Sequence, residues 1–136
     1  MIIKNIQKVE YIEPRFLKGL TIVPGKGVLL NMWRFFKEID TIGLSSATVS
    51  DKVVLRNRIF SVKLVATLNG DWRNSQPLCF RITTVMGEQF LLGTETVPYP
   101  IVTTVDNFPS AVTDKSGTTL TVEYSNTFGL LPILDS

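Results

Sequence analysis

The residues of this chain that could perform acid–base chemistry are carboxylates, because the sequence contains no histidine. Histidine is the usual proton shuttle near neutral pH, and without it a Ser-His-Asp or Cys-His arrangement cannot form. Three pairs of acidic residues are close in sequence: Glu10 with Glu13, Glu38 with Asp40, and Glu88 with Glu95. Glycosidases work with two carboxylates, but scattered surface acids give such pairs by chance. We therefore expect no enzyme activity.

The single cysteine, Cys79, lies in a segment predicted to be a strand. It cannot form an internal disulfide, and no histidine is present to activate it, so a buried inert thiol is the simpler interpretation. Zinc sites need thiolate and imidazole ligands, and no acidic run has the spacing of a calcium loop. Gly25-Lys26-Gly27 lacks the longer spacing of a phosphate-binding loop. The sequence predicts no metal site and no cofactor.

Basic and aromatic side chains are a second source of possible binding chemistry, since together they can hold single-stranded nucleic acid. The candidates are Arg56, Arg58, Lys63, Trp72, Arg73 and Arg81. The net charge is only +2, which argues against a nucleic-acid partner. Trp33, Trp72 and Tyr99 could stack on carbohydrate, but nothing in the sequence brings them together. We expect neither nucleic-acid specificity nor membrane binding.

The clearest element that must position these residues is a β-hairpin at residues 77–94, PLCFRITTVMGEQFLLGT. Leu78, Phe80, Ile82 and Thr84 alternate with Cys79, Arg81, Thr83 and Val85, and Phe90 and Leu92 alternate with Gln89 and Leu91. Such alternation places each set on one face of a strand. We predict a tight primed turn at Met86-Gly87, with Gly87 at positive φ.

Further strands are predicted on both sides of this hairpin. Alternating patterns indicate strands at residues 53–68, 101–105 and 118–125, a strand or extended arm at 1–13, and a loop at 44–52. Residues 28–42 fit a helical stripe as well as a strand, and their aromatic and β-branched content favours the strand. From these patterns we expect a core of Phe60, Val62, Leu64, Phe80, Ile82, Phe90, Leu92, Leu120 and Val122. We predict a mainly β, single-domain antiparallel β-sandwich or barrel of about seven strands with little helix, spanning residues 1–136.

Composition and the ends of the chain indicate contacts with other subunits. Charged residues make up 19% of the chain, below the usual quarter, and both ends are apolar, including a tail at 128–136. Chain ends that fray are normally polar, so we expect at least one end to contact another copy or another protein. The predicted interface residues are Ile2, Ile3, Ile6, Trp72, Phe128, Leu130, Leu131, Ile133 and Leu134.

The start of the chain has no signal-peptide pattern, and no apolar run approaches the ~20 residues of a membrane span. We therefore expect a soluble chain.

Residues 58–134 resemble small β-rich structural proteins of the connector and tail type in tailed bacteriophages and prophages. The resemblance lies in Phe80 to Thr94, where a strand pair is followed by Gly-Thr, and in the proline-marked segment Val97 to Ile101 before a Thr-rich closing strand. It implies a virion component made in the cytoplasm of the bacterial host, with copies of itself and other virion proteins as partners. That family has no catalytic residues to transfer.

The leading hypothesis is therefore a non-enzymatic structural subunit of a tailed-phage virion, in an oligomeric head-tail connector or tail assembly. The alternative is a monomeric β-barrel or sandwich that binds a small ligand or a glycan. A hydrolase that works through carboxylates alone is a third hypothesis, and it would require two acids in one deep pocket.

Overall fold

The computed structural model describes residues 2–69, 72, 76–96, 98–107, 117–127 and 129–134. This part of the chain contains short connections, one 3-10 turn and eleven β-strands. The strands are β1 (Ile2–Ile12), β2 (Thr21–Val23), β3 (Gly27–Leu29), β4 (Lys37–Ile39), β5 (Ser45–Val54), β6 (Asn57–Leu68), β7 (Cys79–Thr84), β8 (Gln89–Leu92), β9 (Ile101–Asn107), β10 (Gly117–Asn126) and β11 (Leu131–Pro132), and the 3-10 turn is Pro14–Leu17. The expected mainly β architecture is confirmed.

The strands form one large antiparallel sheet and one small one. The large sheet has nine strands in the order β11-β8-β7-β1-β5-β6-β10-β9, with β4 as an additional partner of β1. Strands β2 and β3 form a separate two-stranded sheet. The large sheet is not closed into a barrel, so the barrel alternative is wrong, and the predicted count of about seven strands was too low.

Strand β1 connects the two halves of the large sheet. On one side it pairs with β5 near Ile2 and Ile3 and with β4 at Val9–Tyr11, and on the other side it pairs with β7. The register shifts between Ile3 and Ile6, and Asn5 in this interval has a φ of 62°. Such an irregularity bends a strand, and it also breaks the alternation that would have marked β1 as a central strand in the sequence.

Two hydrophobic clusters hold the fold together. The main cluster takes side chains from both halves of the large sheet: Ile6, Val9, Ile39, Ala47, Val62, Leu64, Ala66, Leu68, Leu78, Phe80, Ile82, Leu92, Leu120, Val122 and Tyr124. Seven of the nine predicted core residues are buried here, whereas Phe60 and Phe90 are half-buried. The second cluster consists of Ile12, Leu17, Val28, Leu30, Phe36, Cys79, Leu91, Leu131 and Ile133. It joins the small sheet to β7, β8 and the end of the chain.

The predicted hairpin is present as β7 and β8, with Phe80 opposite Leu92 and Thr83 opposite Gln89. Its turn differs from the predicted two-residue form. The Thr84 amide donates to the Glu88 carbonyl and the Gly87 amide donates to the Thr84 carbonyl, which leaves a three-residue loop. This is the pattern of a type I turn followed by a left-handed residue, and Gly87 takes that position with a φ of 88°.

Three predicted segments are divided differently in the structure. Residues 44–52 were expected to be a loop, but most of them belong to β5. The single strand expected at 53–68 is the end of β5, a turn at Leu55-Arg56, and β6. Residues 28–42 are neither one strand nor a helix: β3 and β4 lie at their ends, and an irregular segment lies between them.

Truncation of the hairpin aromatics should separate a core position from a peripheral one. Phe80 is fully buried, so Phe80→Ala should lower the free energy of unfolding by about 3 to 5 kcal/mol. Phe90→Ala should cost clearly less because the ring is half-buried. Urea unfolding measures both, with Val85→Ala on the exposed loop as the control. Equal losses at the two phenylalanines would contradict the assigned packing.

Substitution of Gly87 tests the turn. A Cβ at this position would have no neighbour within 4 Å, so any loss comes from the positive φ and not from a clash. Gly87→Val should cost about 1 to 2 kcal/mol, and Gly87→Asn should cost less because asparagine tolerates left-handed backbone better. Thermal melts of both variants give the comparison, and an asparagine variant as damaged as the valine variant would refute it.

Candidate functional site

The irregular segment at residues 31–36, between β3 and β4, exposes large apolar side chains together, and we call it the aromatic ridge. Trp33 is 81% exposed and Phe35 is 62% exposed, with ring centroids 5.9 Å apart. Met32 on the same segment is also exposed. Folded chains seldom expose adjacent apolar side chains of this size without a contact to make. The aromatic ridge is therefore the first candidate binding surface.

A groove runs along each side of the aromatic ridge. The first, which we call the ridge groove, has a volume of about 570 Å³ and lies between the ridge and the 3-10 turn that carries Arg15 and Phe16. The second has a volume of about 650 Å³ and is bordered by Arg81 and Gln89. Both volumes fall in the range of roughly 300–1,000 Å³ that is typical of ligand sites.

Hydrogen bonds fix the aromatic ridge against the neighbouring chain. The Arg34 guanidinium donates through Nη1 to the Phe16 carbonyl and through Nη2 to the Leu30 carbonyl, each at 2.7 Å. Asn31 Nδ2 donates to the Gly19 carbonyl and to Thr21 Oγ1, each at 2.8 Å. The Arg34 bond to Phe16 joins the two walls of the ridge groove, and the Asn31 bonds hold the ridge to the segment that follows the 3-10 turn.

A buried ion pair lies beneath the ridge. Glu10 on β1 and Arg81 on β7 are direct register partners, and Arg81 Nε and Nη2 donate to the two Glu10 oxygens at 3.0 and 2.7 Å. The Arg81 guanidinium lies 4.1 Å from the centroid of the Phe36 ring. The side chains of Glu10 and Arg81 are only 6% and 18% exposed. This carboxylate serves the packing of the sheet, and it is not available to act on a substrate.

The other carboxylates singled out in the sequence do not form a pocket pair. Glu13 binds Arg15 at 2.7 Å on the surface. Asp40 accepts a hydrogen bond from Asn69. Glu38, Glu88 and Glu95 are exposed. Among the described residues no cluster of three or more His, Cys, Asp or Glu side chains could hold a metal ion.

The end of the β5–β6 hairpin projects from the sheet, and we call residues 51–58 the arm. In the described part of the chain these residues pair only within the β5–β6 hairpin, and all of them are exposed. Leu55 at the apex is 90% exposed, and Val53 beside it is also exposed. Leu55 and Arg56 form the two-residue turn with φ values of 50° and 69°. Such turns usually contain Asn-Gly, so this Leu-Arg turn is strained.

The outward side of strands β5, β6, β10 and β9 forms a second extended surface, which we call the outer face. Its side chains are Ser46, Thr48, Ser50, Ser61, Lys63, Val65, Thr67, Thr119, Thr121, Glu123, Ser125, Ile101, Thr103 and Val105. Within this set the only charges are those of Lys63 and Glu123, which are opposite each other in register. A surface with few charges can be desolvated against another protein at low cost.

The structure distributes the predicted interface residues between core and surface. Ile6, Leu131 and Ile133 are buried in the chain itself. Ile3, Trp72 and Leu130 are partly buried against the main cluster, and Trp72 packs on the Tyr11 ring with centroids 5.5 Å apart. Ile2 and Leu134 are exposed. Phe128 lies outside the described residues.

The apolar tail thus packs at least in part on its own chain. Strand β11 pairs with β8 through Leu131 opposite Leu91, and the Ile133 amide donates to the Gln89 carbonyl. Contact of either end with another subunit stays a prediction.

The residues considered for nucleic acid and carbohydrate are dispersed. Arg56 and Arg58 lie on the arm and Lys63 lies on the outer face. Arg81 is in the buried ion pair, and Arg73 lies outside the described residues. Trp33 lines the ridge groove together with Tyr11, whose ring contacts Trp72, whereas Tyr99 lines a different pocket beside Pro77. The structure therefore does not unite either set into one site.

Sequence reasoning missed both the arm and the aromatic ridge. The arm turn contains neither glycine nor asparagine, so its reversal was not recognised. For the ridge, the signal that could have been used was the cluster of Met32, Trp33 and Phe35 in a segment that fitted neither the helical period nor the strand period well.

Cys79 is buried, and its thiol donates to the Thr94 carbonyl at 3.3 Å. Burial raises the pKa of this thiol from 9.0 to about 12. Burial also raises the pKa of Tyr124 from 10.0 to about 12, with a smaller contribution from Cys79. A thiol with so high a pKa is almost entirely protonated near neutral pH, so Cys79 is a poor nucleophile.

Comparison of the chain with protein-family models, with curated proteins and with solved structures found no significant match. In the described part of the chain no helix is long and apolar enough to cross a membrane. The resemblance to phage structural proteins therefore rests on the sequence pattern of residues 58–134.

The raised pKa values of Cys79 and Tyr124 predict how the free energy of unfolding changes at alkaline pH. A group whose folded pKa is raised contributes stability below its unfolded pKa and loses it as the pH rises towards the folded pKa. The free energy of unfolding should therefore fall between pH 9.0 and about 12 for Cys79, and between pH 10.0 and about 12 for Tyr124. Urea unfolding across this range should show a smaller fall in Tyr124→Phe than in the parent chain. An equal fall in both chains would contradict the assignment.

Proposed function

We propose that this protein is a non-enzymatic structural subunit of a tailed-phage virion, which self-associates in a head-tail connector or tail assembly. The observation that carries the proposal is the arm, a strained hairpin end with an almost fully exposed leucine at its apex. The resemblance of residues 58–134 to phage structural proteins is the reason for assigning the protein to a virion. The two halves of the large sheet share the main cluster, and we infer that they form the two layers of a β-sandwich that carries the arm.

The geometry of the arm supports a role in contact with a neighbour. Left-handed backbone at non-glycine residues costs roughly 1–2 kcal/mol per residue. Leu55 and Arg56 both adopt it, although Asn-Gly would relieve the strain. A salt bridge of 3.2 Å between Arg58 and Asp51 joins the two strands just behind the apex. A strained turn that presents an apolar side chain fits a contact residue better than a simple connection.

The outer face supports the same role. Val65 and Thr121 are register partners at its centre. Lys63 and Glu123 face each other, so each charge keeps an opposite charge beside it when a partner covers the outer face. In rings, one patch of each subunit meets a different patch of the next. The arm and the outer face are two such patches on one chain, and exposed Ile101 and Val105 on the edge strand β9 extend the outer face.

Measurement of mass in solution tests this proposal. The full-length chain should form an oligomer by light scattering at concentrations up to about 100 μM. The double variant Val53→Asp with Leu55→Asp should shift it to monomer without lowering the melting temperature, because both side chains are exposed. Met86→Asp, on the exposed β7–β8 loop, is the matched control and should remain oligomeric.

Two results would contradict the proposal. One is a full-length chain that stays monomeric over this concentration range. The other is an arm variant whose mass distribution equals that of the parent, which would exclude the arm as the contact.

The second candidate function is a monomeric binding module for a small ligand or a glycan. The ridge groove favours it, because Trp33 and Phe35 present exposed rings on which a sugar could stack. A monomeric full-length chain whose Trp33 fluorescence changes with a neutral oligosaccharide would favour this function over the first.

A further inference from the structure

We propose that the ridge groove binds an acidic peptide segment of another protein, with an apolar side chain of the peptide in the groove and its carboxylates on the cationic rim. This inference goes beyond the proposed self-assembly and does not depend on it, because the arm and the outer face do not line the groove.

The apolar part of the argument rests on side chains from both walls of the groove. Phe16 comes from the 3-10 turn, and Met32, Trp33 and Phe35 come from the aromatic ridge, and all are exposed. Covering exposed apolar area is favourable by about 25 cal/mol per Å². Methionine adapts to different apolar partners. The groove therefore suits a ligand with at least one aromatic or large aliphatic group.

The charged part of the argument selects an anionic ligand. Among the described residues, the cationic side chains that line the groove are Arg15, Lys18, Arg34 and Lys37, and the one carboxylate is Glu13. Glu13 is already paired with Arg15 at 2.7 Å, so the groove as a whole is positive. Acidic groups on a ligand would be attracted to this rim, whereas a basic segment would be repelled.

The groove is formed before a ligand arrives. Arg34 bonds to the Phe16 and Leu30 carbonyls, and Asn31 bonds to the Gly19 carbonyl. These bonds hold the aromatic ridge and the 3-10 turn at a fixed separation. A pre-formed site avoids the entropy cost of ordering a loop on binding.

The composition of the groove favours a peptide over single-stranded nucleic acid. Nucleic acid needs cations that follow the phosphates over a site of roughly 4–16 nucleotides, whereas this groove is about 570 Å³ and apolar side chains form part of its lining. A neutral glycan would stack on Trp33 but would leave Lys18 and Lys37 without a partner. A short acidic peptide with an apolar anchor satisfies both parts of the site.

The test measures binding of labelled peptides to the full-length chain by fluorescence anisotropy. The probe is a dye-labelled peptide with a central phenylalanine flanked by aspartates and glutamates, and the comparison peptide carries lysines in place of the acids. We expect the acidic peptide to bind at least about tenfold more tightly. Added NaCl should weaken its binding, because exposed charges are screened.

Variants locate the site. Trp33→Ala should weaken binding of the acidic peptide by about tenfold or more, as expected for a central aromatic contact. Lys18→Glu with Lys37→Glu should weaken it further. The matched control is Lys63→Glu, which reverses a charge on the outer face and should leave the affinity unchanged. Circular dichroism and melting temperature establish that each variant is folded.

Several results would overturn the proposal. These are no binding of the acidic peptide, equal binding of the basic peptide, or tighter binding of a thymidine oligonucleotide or a neutral oligosaccharide. An equal loss in Lys63→Glu would show diffuse charge attraction instead of a site. If Trp33→Ala abolished self-association of the chain, a second copy would be the occupant. None of these peptide results bears on whether the arm mediates assembly, which light scattering measures separately.

Discussion

The pairing of β1 on both of its edges is the constraint on which the rest of the structure depends. The strand lies between β7 on one side and β4 and β5 on the other, and its side chains Ile6 and Val9 are fully buried. The bend at Asn5 lets the first part of β1 belong to one half of the sheet and the last part to the other. Residues of both halves contribute to the main cluster.

The same strand determines where the aromatic ridge lies. Glu10 of β1 and Arg81 of β7 form a buried, doubly hydrogen-bonded pair, and the Phe36 ring packs against the guanidinium. Removing one partner of such a pair typically costs about 3–5 kcal/mol, because the other charge is then left buried and unpaired. Phe36 also belongs to the second cluster. The ridge is thus anchored at one end by a charge pair and at the other by hydrogen bonds to the 3-10 turn.

The three surfaces described here differ in chemistry as well as in position. The arm offers aliphatic side chains on a strained turn, the outer face offers small uncharged side chains on a regular sheet, and the ridge groove offers aromatic side chains with a positive rim. They occur in a chain with only 19% charged residues. The outer face has few charges to desolvate, whereas the arm and the ridge groove combine exposed apolar side chains with charges that a partner would have to match.

The sequence by itself determined the elements that depend on local rules. Strict alternation in Phe80–Leu92 and Leu120–Tyr124 predicted strands and their buried faces, and Gly87 predicted the reversal, because side-chain period and positive φ are properties of a few neighbouring residues. Burial of Cys79 does not follow from the alternation, which places it on the face opposite Phe80; the second cluster covers that face as well.

What the tertiary structure decided depends on distant partners. The central role of β1, the pairing of Glu10 with Arg81, and the open form of the sheet require contacts between residues far apart in the chain. The Leu55-Arg56 turn lacks the Asn-Gly that such turns usually contain, because pairing along two long strands outweighs the strain at their end. The candidate groove was beyond prediction for the same reason, since it unites Phe16 and Trp33 through hydrogen bonds of Arg34 that no local pattern specifies.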